Sequence, residues 1–218
     1  MSRELSKIGD CAVASWARRD RAMEQRLEET AYIMSRAMAA VDASGQFPRL
    51  ADALEEAVRQ LEHGSVALLM NLTPAAADAT RRVLEVVFLT VFMRGDPSRL
   101  AAWHAGAEEF RFTGPLRQYF TRSGTAVANG PYGQTSTLAL YKRASASVHA
   151  NPQIWGESRD GLKIEAQGIT LAAREEMLHD AARTTVYVTL HELRDLDIDD
   201  VEAFFGGTWG SVRGALGL

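Results

Sequence analysis

Cysteine is almost absent from this chain of 218 residues, since Cys11 is its single example. One cysteine excludes an intramolecular disulfide, a zinc site built from several cysteines and a CxxC redox pair, and it suits a reducing compartment. Long apolar runs are also absent, because the longest, Val86–Met93, is far too short to span a bilayer. The first ten residues are polar and do not resemble a signal peptide. We therefore expect a soluble, cytoplasmic protein.

The motifs that hold phosphates, activate serine or bind catalytic zinc are missing as well. The sequence contains no GxGxxG, Walker A, GxSxG or HExxH motif. Its five histidines do not fall at metal-ligand spacing relative to one another. We therefore predict no metal site and no cofactor. His179, one helical turn from Glu176, and His191, beside Glu192, are expected to be surface or helix-capping residues.

Lysine is scarce, since 21 of the 24 basic residues are arginine. The formal net charge is −4, which argues against a protein that binds duplex DNA by neutralising phosphates. The charge is unevenly distributed: residues 101–150 carry five basic and two acidic side chains, whereas residues 151–218 carry six and twelve. The basic middle region is the part of the chain that suits single-stranded or loop RNA.

Apolar residues recur at the helical period over most of the chain. A hydrophobic content of 46% with 24% charged residues is typical of a globular domain that buries its own core. One long first helix is expected between Asp10 and Ser44, and the next two begin at Pro48 and at Thr73-Pro74. The third helix is apolar nearly all round, which predicts a central position in the bundle.

Two stretches interrupt this helical pattern. Arg122–Ser136 is rich in Gly, Ser, Thr, Asn and Pro and predicts a surface loop, and Asn151–Thr170 is long and irregular. Between them, Thr137–His149 is predicted to be helical. We predict an all-α fold, a single-domain helical bundle over residues 1–218 with two long irregular loops and a Gly-rich C-terminal tail from about residue 206.

Three arginines are followed five or six positions later by a histidine. The pairs are Arg99/His104, Arg143/His149 and Arg174/His179. An imidazole takes the proton from a ribose 2′-hydroxyl and a guanidinium holds the phosphate, so such a pair suits metal-independent RNA cleavage. Because arginine is abundant, the surroundings decide among the pairs. Arg99/His104 is typical of an amphipathic surface. The acidic neighbours of Arg174/His179 would repel a phosphate. Arg143/His149 lies in a basic segment rich in small residues.

Two segments of the chain resemble a known family. Tyr141-Lys-Arg-Ala-Ser-Ala-Ser-Val-His149-Ala-Asn-Pro152 resembles the Tyr-x-x-x-Ser-x-x-x-His-x-x-Pro stretch of bacterial helical proteins related to the HEPN ribonucleases. Upstream, Arg81-Arg-Val-Leu-Glu85 is similar to the Arg-x-x-x-Glu pair on their central helix, and a proline-started helix follows. The two segments occur in the order that the family has.

The resemblance implies a homodimeric, metal-independent endoribonuclease from a bacterial defence or toxin system. It implies that Arg143 is the phosphate clamp and that His149 is the catalytic base or acid. The polar residues that would support them are Tyr141, Ser145, Ser147, Arg81, Arg82 and Glu85. One departure is Ala144, since active HEPN ribonucleases usually place Asn or Asp directly after the arginine.

Glu85 stands at the entry to the apolar third helix, so we expect it to be partly buried and paired with Arg81 or Arg82. If Tyr141 and His149 come near, these residues form a polar pocket inside the bundle. The candidate RNA contacts are Lys142, Arg122, Tyr132 and Trp155. Loop aromatics stack on bases, although a loop aromatic folded onto the core is the commoner arrangement.

The alternative function is a non-catalytic helical module that binds a protein partner or a nucleotide. In that case Arg81, Glu85 and His149 hold the structure or a ligand, and His149 contacts the last carbonyls of its helix. The catalytic interpretation requires Arg143 and His149 to be accessible on a common basic surface. The alternative allows them to be buried or apart.

Overall fold

Helices form all the regular structure in the part of the chain that the computed structural model describes, which is residues 19–70, 72–94, 112–148 and 171–218 with a few isolated positions such as Trp16. They are, in chain order, α1 (Arg21–Ser44), α2 (Pro48–Leu69), α3 (Thr73–Phe92), α4 (Thr113–Ser123), α5 (Thr125–Ala128), α6 (Gln134–Val148), α7 (Leu171–Glu192), α8 (Val201–Phe205), a 3-10 turn (Gly206–Thr208) and α9 (Trp209–Leu216). No strand occurs in these residues, and the predicted all-α class is confirmed. None of these helices is both long and apolar enough to cross a bilayer.

Local chemistry sets both ends of α1. Asp20 is extended, and its carboxylate accepts hydrogen bonds from the backbone N–H groups of Ala22 and Met23 at 2.9 and 3.2 Å, which is the usual N-cap arrangement. Gly45 ends the helix in the left-handed conformation, with a φ of 61°. The predicted end of this helix is confirmed. A single unbroken helix from Asp10 does not form, because the chain is extended at Asp20.

The apolar helix α3 lies at the centre of the bundle, as its composition predicts. It packs against α2, α4, α6 and α7. Val83, Leu84, Val87 and Phe88 are fully buried there. The Phe88 ring meets the edge of Phe112 with 5.8 Å between ring centroids, a favourable aromatic geometry that attaches the start of α4 to the core.

Gly64 allows α2 to approach α3 and α7 closely. The helix continues without a break through this residue, so the glycine serves packing and does not end the helix. A Cβ atom at position 64 would lie 2.9 Å from the Ala79 Cβ and 3.1 Å from a methyl group of Leu178. Both distances are shorter than an unstrained contact between methyl groups.

The first predicted loop and the C-terminal tail have more structure than the sequence suggests. Within Arg122–Ser136, α5 forms one helical turn and α6 begins at Gln134; Asn151–Thr170 lies outside the described residues. The Gly-rich tail from residue 206 forms the 3-10 turn and α9. The tail is helical because its few apolar residues find a place in the core: Val212 and Leu216 are buried on the bundle.

Candidate functional site

A hydrogen bond between Tyr141 and Glu85 joins α6 to the central helix. The Tyr141 hydroxyl donates to Glu85 Oε1 at 2.7 Å, and the Tyr141 ring stacks on Phe112 with 4.2 Å between ring centroids. Burial, together with the adjacent Glu85 carboxylate, raises the pKa of Tyr141 to about 12. The hydroxyl therefore keeps its proton at neutral pH, and the contact fixes the rotation of α6 about its axis.

Arg81 and Arg82 each pair with Asp78. A terminal nitrogen of Arg81 lies 2.9 Å from Asp78, while its Nε is buried, lacks a hydrogen bond and lies 3.8 Å from Glu85 Oε1. Arg82 is exposed and donates to Asp78 at 2.8 Å, a hydrogen bond that raises the pKa of Arg82. The structure therefore places Tyr141, Glu85 and Arg81 close together, whereas Arg82 turns to Asp78.

The other residues of α6 that were predicted to belong to the site differ in exposure. Lys142 and Arg143 are exposed, whereas the neighbouring Ala144 is fully buried against the core. The Ser145 hydroxyl is buried without a hydrogen-bond partner. Three of the predicted site residues cannot be placed in the described part of the chain. His149 and Trp155 lie outside it, and so does the side chain of Ser147.

The two other predicted RNA contacts differ in exposure. Arg122 is exposed, and its guanidinium lies 5.3 Å from the centre of the Phe92 ring. Tyr132 is buried, its ring packs 5.4 Å from Phe205, and its hydroxyl lies 3.4 Å from Thr208 Oγ1. In this position the Tyr132 ring is not available to stack on a base, because the loop that carries it is folded onto the core.

A cavity of about 760 Å³ lies between α1, the first turns of α7 and the start of α8. Thr30, Glu175 and His179 line it, and each is more than nine-tenths buried. Thr30 Oγ1 lies 2.7 Å from His179 Nδ1, and His179 Nε2 lies 3.4 Å from Glu175 Oε1. Arg26 donates to both oxygens of Glu175 at 2.7 and 3.0 Å. These four side chains form a connected series, which we call the buried polar chain.

Two proton arrangements satisfy the buried polar chain. The Thr30 hydroxyl has one proton and lies 3.0 Å from the carbonyl oxygen of Arg26 as well as close to His179 Nδ1. When the proton points to the ring, Nδ1 accepts and Nε2 donates to Glu175. When the proton points to the carbonyl, Nδ1 donates to Thr30, and the contact with Glu175 is satisfied only if Nε2 also carries a proton. Thr30 lies in mid-helix, where backbone N–H groups are engaged in helical bonds, so the backbone supplies no oxyanion hole beside it. The arrangement suits binding better than nucleophilic catalysis.

Arg183 closes another side of the same cavity. It donates to Glu176 at 2.8 Å and to Asp180 at 3.3 Å, and its Nε donates to the Phe204 carbonyl at 3.4 Å. Burial, with a contribution from the Glu176 charge, raises the pKa of Asp180. The cavity therefore contains two arginines, and acidic partners neutralise both.

The sequence does not predict this cavity. The prediction that His179 lies on the surface or at a helix cap is wrong, because its ring is buried against α1. A local signal was present, since Glu175 and His179 are four residues apart on one face of a helix. Thr30, however, is 149 residues away from His179 along the chain, and no local pattern joins them.

A second polar cluster lies at the C-terminal end of α7. The Tyr119 hydroxyl is 2.9 Å from His191 Nδ1, and Arg94 donates to Glu192 at 2.9 Å. Burial raises the pKa of Tyr119 well above its usual value. The His191 side chain exposes 13% of its surface, so it is part of a packed junction between α4 and α7 and not a surface residue.

Within the described ranges, no three His, Cys, Asp or Glu side chains are placed to hold a metal ion. No protein-family model, curated protein or solved structure matches this chain. Its function is therefore argued from its own residues.

Proposed function

We propose that this helical protein is a metal-independent endoribonuclease of the HEPN-like kind, acting in the cytoplasm as part of a bacterial defence or toxin system. Arg143 is its phosphate clamp and His149 its base or acid. The observation that carries the proposal is the position of Arg143, which is exposed beside Lys142 in the last two turns of α6. That helix ends one residue before His149.

The packing of α6 supports this assignment. Tyr141 is tied to Glu85 on one side of the helix, and Ala144 is buried against the core. Arg143 lies about 200° around the helix from Tyr141. The contacts that hold α6 therefore leave Arg143 on an exposed side of the helix.

The chemistry needs no further group. The neutral His149 imidazole takes the proton of a ribose 2′-hydroxyl, the oxygen attacks the adjacent phosphorus, and the bond to the 5′-oxygen of the next nucleotide breaks. The leaving 5′-oxygen takes a proton from the imidazolium that has formed, which returns His149 to its neutral state, and the products are a 2′,3′-cyclic phosphate and a 5′-hydroxyl. Arg143 stabilises the negative charge that develops on the phosphate oxygens.

A second copy of the chain is part of the proposal. Residues six apart point about 120° away from each other in a straight helix. Arg143 and His149 of one continuous helix therefore do not converge on one phosphate. In a homodimer, Arg143 of one copy and His149 of the other are able to do so.

The test uses purified protein and a mixed-sequence RNA in the presence of EDTA. We expect products with 2′,3′-cyclic phosphate ends, and a loss of about 100-fold or more in rate for His149→Ala and for Arg143→Ala. The matched control is Arg49→Ala, which removes an exposed arginine from α2 and should cleave like the wild type. Cleavage that survives in both site variants would refute the assignment.

Mixing the two inactive variants tests the dimer. A heterodimer of His149→Ala and Arg143→Ala contains one intact site if the site spans two copies, and none if each site lies within one copy. Recovered cleavage on mixing supports the shared site, and no recovery contradicts it.

The second candidate function is a non-catalytic helical module that binds a protein partner or a nucleotide. The observation in its favour is that the Tyr141 hydroxyl is held by Glu85 inside the fold, with Arg81 3.8 Å from the same carboxylate. Under this candidate neither the wild type nor any variant cleaves RNA, and Tyr141→Phe only lowers stability.

A further inference from the structure

We propose that the cavity between α1 and α7 is a binding site for a linear aliphatic polyamine. This site is separate from Arg143 and His149, and it does not depend on the proposed RNA cleavage.

The charge of the lining selects a cation. Arg26 is bonded to Glu175 through two hydrogen bonds, and Arg183 is bonded to Glu176. Three further carboxylates line or border the cavity and make no ion pair with any described residue: Glu28, Glu29 and Asp200. The uncompensated charge is therefore negative, which disfavours phosphates and carboxylates and favours ammonium groups.

The placement of these carboxylates selects an extended cation. Glu28 and Glu29 lie on α1, whereas Asp200 directly precedes α8. The negative charges thus lie on two different walls of a cavity of about 760 Å³. A chain with several ammonium groups separated by methylene segments places one positive charge near each wall, which a compact ion cannot do.

The apolar part of the lining suits the methylene segments. Tyr32 exposes 53% of its surface, Ile33 is buried and Phe204 is half-buried, and all three line the cavity. Aromatic faces attract ammonium groups and also pack against the methylene groups between them. Tyr32 is positioned to provide both contacts without disturbing the core.

The floor of the cavity is preorganised. Glu175 and His179 are each more than nine-tenths buried, and their contacts with Arg26 and Thr30 hold them in place. Because Arg26 already balances the charge of Glu175, the attraction for ammonium groups comes from the carboxylates on the walls, while the fixed floor leaves little ordering for binding.

The test is isothermal titration of the full chain with spermidine in the absence of RNA. We expect saturable binding at one site below about 1 mM spermidine. The double variant Glu28→Gln/Glu29→Gln should weaken binding about tenfold at fixed ionic strength, because two carboxylates are lost from one wall. Tyr32→Ala should also weaken binding, and Tyr32→Phe should retain it.

The matched control is Asp52→Asn/Glu55→Gln, which removes the same two charges from the exposed face of α2 and should bind spermidine like the wild type. Three results would overturn the proposal: no saturable heat, an equal loss of affinity in the control, or full displacement of spermidine by Mg²⁺ at equal charge. The last two outcomes would show a counter-ion atmosphere and not a site. Melting curves of each variant confirm that the fold is intact.

Discussion

Removal of Arg26 is expected to destabilise the protein more than neutralisation of its partner Glu175. The Glu175 side chain exposes 7% of its surface, whereas that of Arg26 exposes 50%. Arg26→Ala leaves a carboxylate buried beside His179 without its main donor. Glu175→Gln leaves a guanidinium that turns into water, and the amide retains an acceptor oxygen of nearly the same shape. The two substitutions therefore break the same ion pair at different costs in stability.

The expected magnitudes follow from this difference in burial. Breaking a fully buried ion pair costs about 3–5 kcal/mol, and breaking an exposed pair costs about 1 kcal/mol or less. Because one partner is buried and the other is half exposed, we expect the cost of Arg26→Ala to fall between these two limits. Glu175→Gln should cost about 1 kcal/mol, the value of a weakened hydrogen bond. Each kcal/mol lowers Tm by about 2–4 °C in a chain of this size.

The assay is urea unfolding followed by far-UV circular dichroism, with thermal melts as a second measurement. Arg59→Ala serves as the control, since Arg59 pairs only with exposed glutamates on its own helix face and should shift stability by less than about 0.5 kcal/mol. The double variant Arg26→Ala/Glu175→Gln should be close to Glu175→Gln alone. A cost for Glu175→Gln equal to or above that of Arg26→Ala would refute the reasoning.

Three other predictions concern packing and tyrosine protons. Gly64→Ala should lower the free energy of unfolding by about 1–2 kcal/mol, because the new Cβ meets a neighbouring helix. The control Gly214→Ala adds a Cβ in open space on α9 and should not destabilise the protein. Equal effects of the two substitutions in urea melts would contradict this. Tyr141→Phe should cost about 1–2 kcal/mol by leaving the Glu85 carboxylate without its donor; an unchanged urea midpoint would show that the bond contributes nothing. Burial raises the pKa of Tyr187 from 10.0 to about 12, so stability present below pH 10 should fall as pH rises towards 12. In urea melts across this pH range, Tyr187→Phe should lose less stability than the wild type. An identical loss would show that Tyr187 does not cause the pH dependence.

Much of the helical framework is predictable because its signals are local. Prolines in the first turns of α2 and α3 and the glycine after α1 set backbone angles or caps at their own positions. The all-round apolar character of α3 requires burial on every side, and this places it at the centre. The partial burial of Glu85 follows from the same argument, whereas its contact with Tyr141 depends on how α6 packs on α3.

The helical class and the central position of α3 were thus determined by the sequence alone, through periodicity and end signals that act within a few residues. Only the tertiary structure decided that Thr30 meets His179, that Tyr132 is buried and that the Gly-rich tail forms a helix on the bundle. Each of these depends on contacts between segments distant in sequence, and the local pattern around each residue is compatible with a surface position. A buried polar side chain is stable only where it finds a hydrogen-bond partner, and which partner it finds depends on how whole helices pack against one another.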